Sequence, residues 1–230
     1  MDYIIINSVN SNTIKGLLIQ LLPPISKPKI RFKTEEIDGR DGDLVTKLGY
    51  SAYDKELSIG LHDNFDINEV INFFNSEGSI IFSDEPDKYY KFQILQQIDF
   101  EKLIRFKTAI VRIHIQPFKY SVTQQTLTTQ TSSIVVNNTG NTVSKPVFKV
   151  YGTGNISIYL NNIQIFTVAL GNEGNITIDI AKMEAYKDNV LKNRLVTGNY
   201  ENFVLQPGNN TIRFSGGVTK FEISDYSRWI

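Results

Sequence analysis

The sequence has no cysteine, only two histidines and one tryptophan. Without thiols it cannot be a disulfide scaffold, and it cannot carry a thiol nucleophile, a Cys-ligated zinc or an iron–sulfur cluster. That composition suits folding in a reducing compartment. Net charge is also missing, because 24 Lys and Arg balance 24 Asp and Glu. Residues 121–230 hold nine basic and seven acidic side chains, which leaves 15 and 17 for residues 1–120. Neither half has the basic surplus that sequence-independent nucleic-acid binding requires. No run approaches the roughly 18 apolar residues of a membrane span, so no membrane partner is expected. The apolar start Tyr3-Ile4-Ile5-Ile6 is too short for a secretory segment and lacks a basic flank and a small-residue cleavage site.

What is present is ordinary for a globular chain: 41% hydrophobic and 21% charged residues over 230 positions. At about 100–200 residues per domain, two modest domains fit better than one. The boundary is expected in the Ser/Thr/Gln stretch Tyr120–Ser133, which has no hydrophobic periodicity. This gives a first domain at 1–120, a polar linker at 121–133 and a second domain at 134–230. The linker is expected to pair partly with a neighbour; a polar edge strand is the alternative.

In the first domain the strongest helix signal covers Ile67–Glu77. Ile67, Val70, Ile71 and Phe74 form one stripe at helical spacing. Asp66 can cap its start, Glu69 completes a capping-box pattern, and Phe65 with Val70 suits a hydrophobic staple. Gly78 stands where a left-handed terminating residue is wanted. Around this helix, Ile30–Ile37, Glu56–Leu61, Ser79–Phe82, Tyr89–Ile94 and Phe106–Gln116 read as strands. Pro23-Pro24, Asp38-Gly39-Arg40-Asp41-Gly42 and Asp84-Glu85-Pro86-Asp87 punctuate them. The expected fold is antiparallel β with one packed α-helix.

The second domain shows short strands at close spacing: Val147–Tyr151, Ile156–Leu160, Ile163–Val168 and Ile176–Ile180. Asn161-Asn162 suits a two-residue turn with positive φ at both positions, and Gly216-Gly217 suits a second hairpin between Thr211–Ser215 and Val218–Ser224. Many strands and no clear helix argue for a two-sheet sandwich, so the whole chain reads as mainly β.

Little in the sequence points to chemistry. His62 and His114 belong to no metal-binding pattern, and no nucleophile elbow, phosphate loop or dinucleotide fingerprint occurs. Asp38, Asp41 and Asp43 offer oxygen ligands, but the spacing is not that of a calcium loop, and Asp and Gly also simply make turns. No catalytic residue, metal or cofactor is expected, and the chain does not read as an enzyme. Tyr151, Tyr159, Tyr186 and Tyr200 are candidates for stacking on a sugar, which makes a carbohydrate-binding sandwich for host-surface attachment the alternative; cross-strand packing is the commoner use of such tyrosines.

The order of segments resembles the distal tail protein family of long-tailed phages with flexible tails. Ile37-Asp38-Gly39-Arg40-Asp41-Gly42-Asp43-Leu44 is similar to the family's Gly-Arg-Asp-Gly loop. Tyr53 to Leu61, the helix from Ile67, the run Ile81 to Tyr90 and Ala109–Tyr120 follow in the family's order. In the second domain, Asn138–Asn141, Lys145–Val150, Gly152–Ile156, Ile176–Asp179, Leu205–Ile212 and Ser227–Ile230 continue it. The resemblance implies a hexameric ring at the tail tip, in the virion, assembled in the bacterial host cytoplasm. It implies a first domain that builds the ring wall below the tail tube protein, with DNA only in transit through the channel. It implies a galectin-like second domain that docks receptor-binding or baseplate proteins, with a tail-associated hub or lysin protein as a further partner. The chain lacks the His–Asn–Arg and Trp pattern of sugar-binding galectins. Within this resemblance Gly39, Arg40, Asp41, Gly42 and Asp43 are the candidate subunit-interface residues, with Arg40, Asp41 and Asp43 setting the angle between subunits through polar pairs. A solvated turn is the other use of the same residues.

Overall fold

A computed structural model describes residues 2–74 and 77–230. It is mainly β, and it divides into two units. One runs to Tyr120 and includes the terminal Ile230; the other is Ser121–Trp229.

The first unit contains nine strands among the described residues: β1 (Ile4–Ile6), β2 (Val9–Asn10), β3 (Leu17–Leu21), β4 (Ile30–Glu36), β5 (Asp43–Tyr50), β6 (Tyr53–Leu61), β7 (Glu77–Phe82), β8 (Lys88–Gln93) and β9 (Thr108–Ser121). Seven form a sheet in the order β2-β1-β7-β8-β9-β6-β3. Alternation sets its two faces. Leu57, Ile59, Val111, Ile113 and Ile115 point to the core, with Leu57 opposite Val111. The open face carries the residues between them, joined in cross-strand pairs: Arg112 Nε donates to Glu56 at 2.8 Å, and His114 Nδ1 lies 2.7 Å from Asp54.

Two helices close the core, where the sequence suggested one. In α1 (Ile67–Phe73), Asp66 accepts from the amides of Asn68 and Glu69 at 2.9 and 3.4 Å. Glu69 does not reach back to complete a capping box; it accepts from the Lys15 amide at 3.1 Å. Val70, Phe73 and Phe74 are buried, whereas Ile71, expected on the core stripe, is exposed. The expected helix extended to Glu77. It ends at Phe73, positions 75 and 76 lie outside the described residues, and Glu77 and Gly78 already belong to β7. The second helix, α2 (Phe100–Phe106), is capped by Asp99, which accepts from the Lys102 amide at 2.8 Å, and it buries Leu103. Phe106, read from the sequence as the start of a strand, is the last residue of this helix.

Among the described residues the second unit holds ten strands: β10 (Gln125–Thr129), β11 (Ser133–Asn138), β12 (Val147–Leu160), β13 (Ile163–Gly171), β14 (Asn175–Asp179), β15 (Glu184–Lys187), β16 (Val190–Leu191), β17 (Val196–Gly198), β18 (Gly208–Asp225) and β19 (Arg228–Trp229). The Ser/Thr/Gln stretch is therefore not a bare tether, because Thr126 to Thr129 pair with Ser224 to Phe221 of β18.

Two long strands organise this unit. The first part of β12 pairs with β14 and its second part with β13. The last part of β18 pairs with β10 and its first part with β11. Both strands are irregular beside their glycines: the register shifts next to Gly152 on β12 and Gly216-Gly217 on β18, with Gly152 opposite Val218 and Gly217 opposite Thr153. The expected Gly-Gly hairpin is thus an irregularity inside one strand. A Cβ on Gly152 would meet the Gly217 carbonyl, and one on Gly216 the Asn155 carbonyl, so the backbones approach closely only because both are glycine. The Asn161-Asn162 turn is as expected, with φ of 48° and 70°. In the core of this unit, Phe148 packs on Phe203, Phe221 and Phe166 with ring centroids 4.8, 5.4 and 6.2 Å apart.

Candidate assembly interface

One element of the first unit stands apart from its sheet. Strands β4 and β5 pair only with each other among the described residues, in register from Ile30 opposite Tyr50 to Glu36 opposite Asp43. Residues opposite each other share a face. Ile30 and Tyr50, Phe32 and Lys47, and Thr34 and Val45 therefore make one side of this hairpin, and Arg31, Lys33 and Glu35 the other. Lys33 and Glu35 form an ion pair there. The apolar side is uncovered: Phe32 is 56% and Val45 61% exposed. A two-stranded hairpin is marginal in water by itself. Here both faces are open to solvent, with Leu44 also exposed opposite Glu35.

The five candidate interface residues lie at the tip. Residues 37–42 connect the strands, the Arg40 amide donates to the Ile37 carbonyl at 3.1 Å, and Asp43 is the first residue of β5. Gly39 and Gly42 have φ of 78° and 75° with open space where a Cβ would stand, so the turn needs them for their dihedral angles alone. All five are exposed. The structure places them together, but it adds a larger surface the sequence reading missed: the apolar stripe behind them. Its signal was present in the spacing of Ile30, Phe32 and Thr34; the partner strand β5 was not identified.

The root of the hairpin is held by four contacts. Residues 22–29, rich in proline, form an irregular strap between β3 and β4. Lys55 Nζ donates to the Pro24 carbonyl at 2.5 Å, and the Tyr53 hydroxyl donates to the Ser26 carbonyl at 3.0 Å. The Ser51 amide donates to Lys29 O at 2.8 Å, and Tyr50 packs edge-on against Phe118, centroids 5.7 Å apart. Lys55 is only 4% exposed. Burial, with the Lys119 ammonium nearby, pulls its ammonium below the usual lysine range. Burial likewise pushes the Tyr90 hydroxyl beside it upward. Lys119 itself is satisfied by both Glu85 carboxylate oxygens, at 2.7 and 2.6 Å.

The other candidates resolve into packing and turns. Tyr151 donates to Glu222 at 2.8 Å and has the ammoniums of Lys149 and Lys220 over its ring at 5.1 and 5.0 Å. Tyr200 meets Phe166 edge-on at 5.1 Å, and Tyr159 and Tyr186 are half-buried on their strands. His62 follows β6 in an exposed turn. Among the described residues no three carboxylate or imidazole groups converge as a metal ligand set, around Asp38, Asp41 and Asp43 or elsewhere.

No protein-family profile and no curated protein sequence matches the chain. Solved structures do. The crystal structure of the Dit protein (gp 19.1) of phage SPP1, described as a paradigm of the hub adsorption apparatus in Gram-positive infecting phages, superposes with a TM-score of 0.71 at 17% identity, covering 100% of both chains. A chain of the phage P2 baseplate, in its activated conformation with Ca, covers 98% of both at 8% identity and a TM-score of 0.49. From end to end, the chain has the fold of the SPP1 Dit protein.

Proposed function

We propose that this chain is a structural, non-enzymatic component of a phage tail tip: a ring protein that joins the tail tube to the baseplate and lets DNA pass through its centre. One observation carries the reading. Both units, over the whole length, follow the fold of a protein described as a hub of the adsorption apparatus. Within this reading six copies form a closed ring, since head-to-tail contacts must close on themselves to avoid a fibre. The first unit makes the wall. Its unpartnered hairpin β4–β5 lies on the neighbouring subunit, with the tip residues Gly39 to Asp43 fixing register and the stripe of Phe32 and Val45 supplying buried area. The tail tube protein stacks on one side of the ring, and a tail-associated hub or lysin protein on the other. The second unit, galectin-like, docks receptor-binding or baseplate proteins, and the complex resides in the virion after assembly in the host cytoplasm.

Mass photometry with negative-stain micrographs tests this. Purified protein at high concentration, or mixed with its tail tube partner, should give particles of about six copies with a central hole. A chain that stays monomeric under both conditions refutes it.

A further inference from the structure

We infer that Lys55 is a positioning residue: its ammonium, by holding the Pro24 carbonyl, fixes the direction in which the β4–β5 hairpin leaves the first unit. The inference deepens the assembly reading and rests on it for its functional meaning, though the geometry is independent of it.

Lys55 sits on the core side of β6, in line with Leu57 and Ile59. Its ammonium lies among the rings of Tyr90, Phe82 and Tyr53, at 5.5, 5.7 and 6.0 Å from their centroids. Among the described residues no carboxylate is within ion-pair distance of it. Burying an unpaired ammonium is costly, and an apolar side chain of similar shape would fill the space without that penalty. Attraction to the faces of the aromatic rings offsets part of the cost. Asp84 and Glu85 attract it from beyond ion-pair distance, and its one direct hydrogen bond goes to the Pro24 carbonyl.

What it does is hold the strap. Pro23, Pro24 and Pro28 have fixed φ and lack an N–H, which restricts the conformations open to residues 22–29. Holding this strap at Pro24 through Lys55, and again at Ser26 through Tyr53, constrains where Ile30 emerges. Among the described residues the hairpin has no other strand to align it. On its second leg only Ser51 and Ala52 separate β5 from β6. The latch is therefore placed where a small change in angle moves the tip furthest.

The absence of native cysteine permits a direct test. Spin labels at Asp41→Cys and Glu101→Cys, in full-length chain diluted with unlabelled protein, report the distance from hairpin tip to α2 by pulsed electron resonance. The wild-type background should give one narrow distribution. Lys55→Met, which keeps length and apolar bulk but removes the donor, should broaden it while the thermal midpoint stays the same or rises. If the hairpin then holds the bound direction in one molecule out of ten, the concentration for half-assembly rises about tenfold. A narrow distribution in folded Lys55→Met overturns the inference. If that variant does not fold, Lys55→Gln, neutral but polar, takes its place with the same readouts; failure of both to fold makes Lys55 a folding residue and also overturns it. A wild-type chain that never assembles refutes the ring, but the distance distributions still decide the latch.

Discussion

Replacing Phe32 by alanine separates an assembly surface from a piece of the core. Phe32 keeps 56% of its surface in water. A phenylalanine buries roughly 200 Å² when fully covered, so covering the remainder removes roughly 110 Å² from solvent. At about 25 cal/mol per Å² this amounts to about 2.8 kcal/mol for each contact between neighbours. Alanine retains part of that area, so the loss is about 2 kcal/mol per contact, a subunit contact roughly 30-fold weaker. Because the side chain touches little within its own subunit, stability should stay within about 0.5 kcal/mol of wild type. Sedimentation velocity across a concentration series, with thermal melting alongside, measures both. Assembly should shift to higher concentration while the melting midpoint of the dissociated chain does not move. An unchanged assembly curve, or a midpoint lowered by several degrees without any change in assembly, refutes the argument.

Three further substitutions test the second unit. Gly216→Ala places a Cβ against the Asn155 carbonyl at φ 99°, whereas Gly154→Ala, at φ 70°, meets open space. The first should cost about 3 kcal/mol and the second about 1, and urea denaturation that shows equal losses would refute close strand approach as the reason for glycine at 216. Asp225→Asn should raise the unfolding free energy at neutral pH by about 1 kcal/mol. Asp225 is 2% exposed, with Ser144 donating to it at 2.9 Å, and burial pushes its carboxyl above the ordinary value of 3.8. The folded state therefore holds its proton to higher pH than the unfolded chain. Stability from this group is full below pH 3.8 and is lost as pH rises through the folded pKa, so the gain from Asn should shrink on acidification. A gain that does not change with pH would sink that account.

The sequence was most legible where the determinant was local. Asn161-Asn162 demanded positive φ whatever surrounded it, and Asp66 marked the start of α1 through a bond two residues long. It was misleading where the determinant was a distant neighbour. Gly216-Gly217 satisfies a two-residue turn and an irregular strand equally, and only the approach of Gly152 and Thr153 decides between them. Helix α2 had its cap at Asp99 and apolar residues at 100, 103 and 104, but seven residues give under two turns of periodicity beside the strand signal of β9. For the candidate interface, the turn chemistry of Gly39 to Asp43 was visible. The exposure of Phe32 and Val45 was not, because alternation identifies a face without saying what covers it. The part played by Lys55 is invisible in one dimension, since its partner lies 31 positions away.

The doubly shared strands of the second unit have a mechanical consequence. Each of β12 and β18 pairs with one set of strands along its first part and another along its second, so pulling on one set loads the other along covalent backbone rather than across side-chain contacts. Such a unit should yield all at once instead of peeling strand by strand.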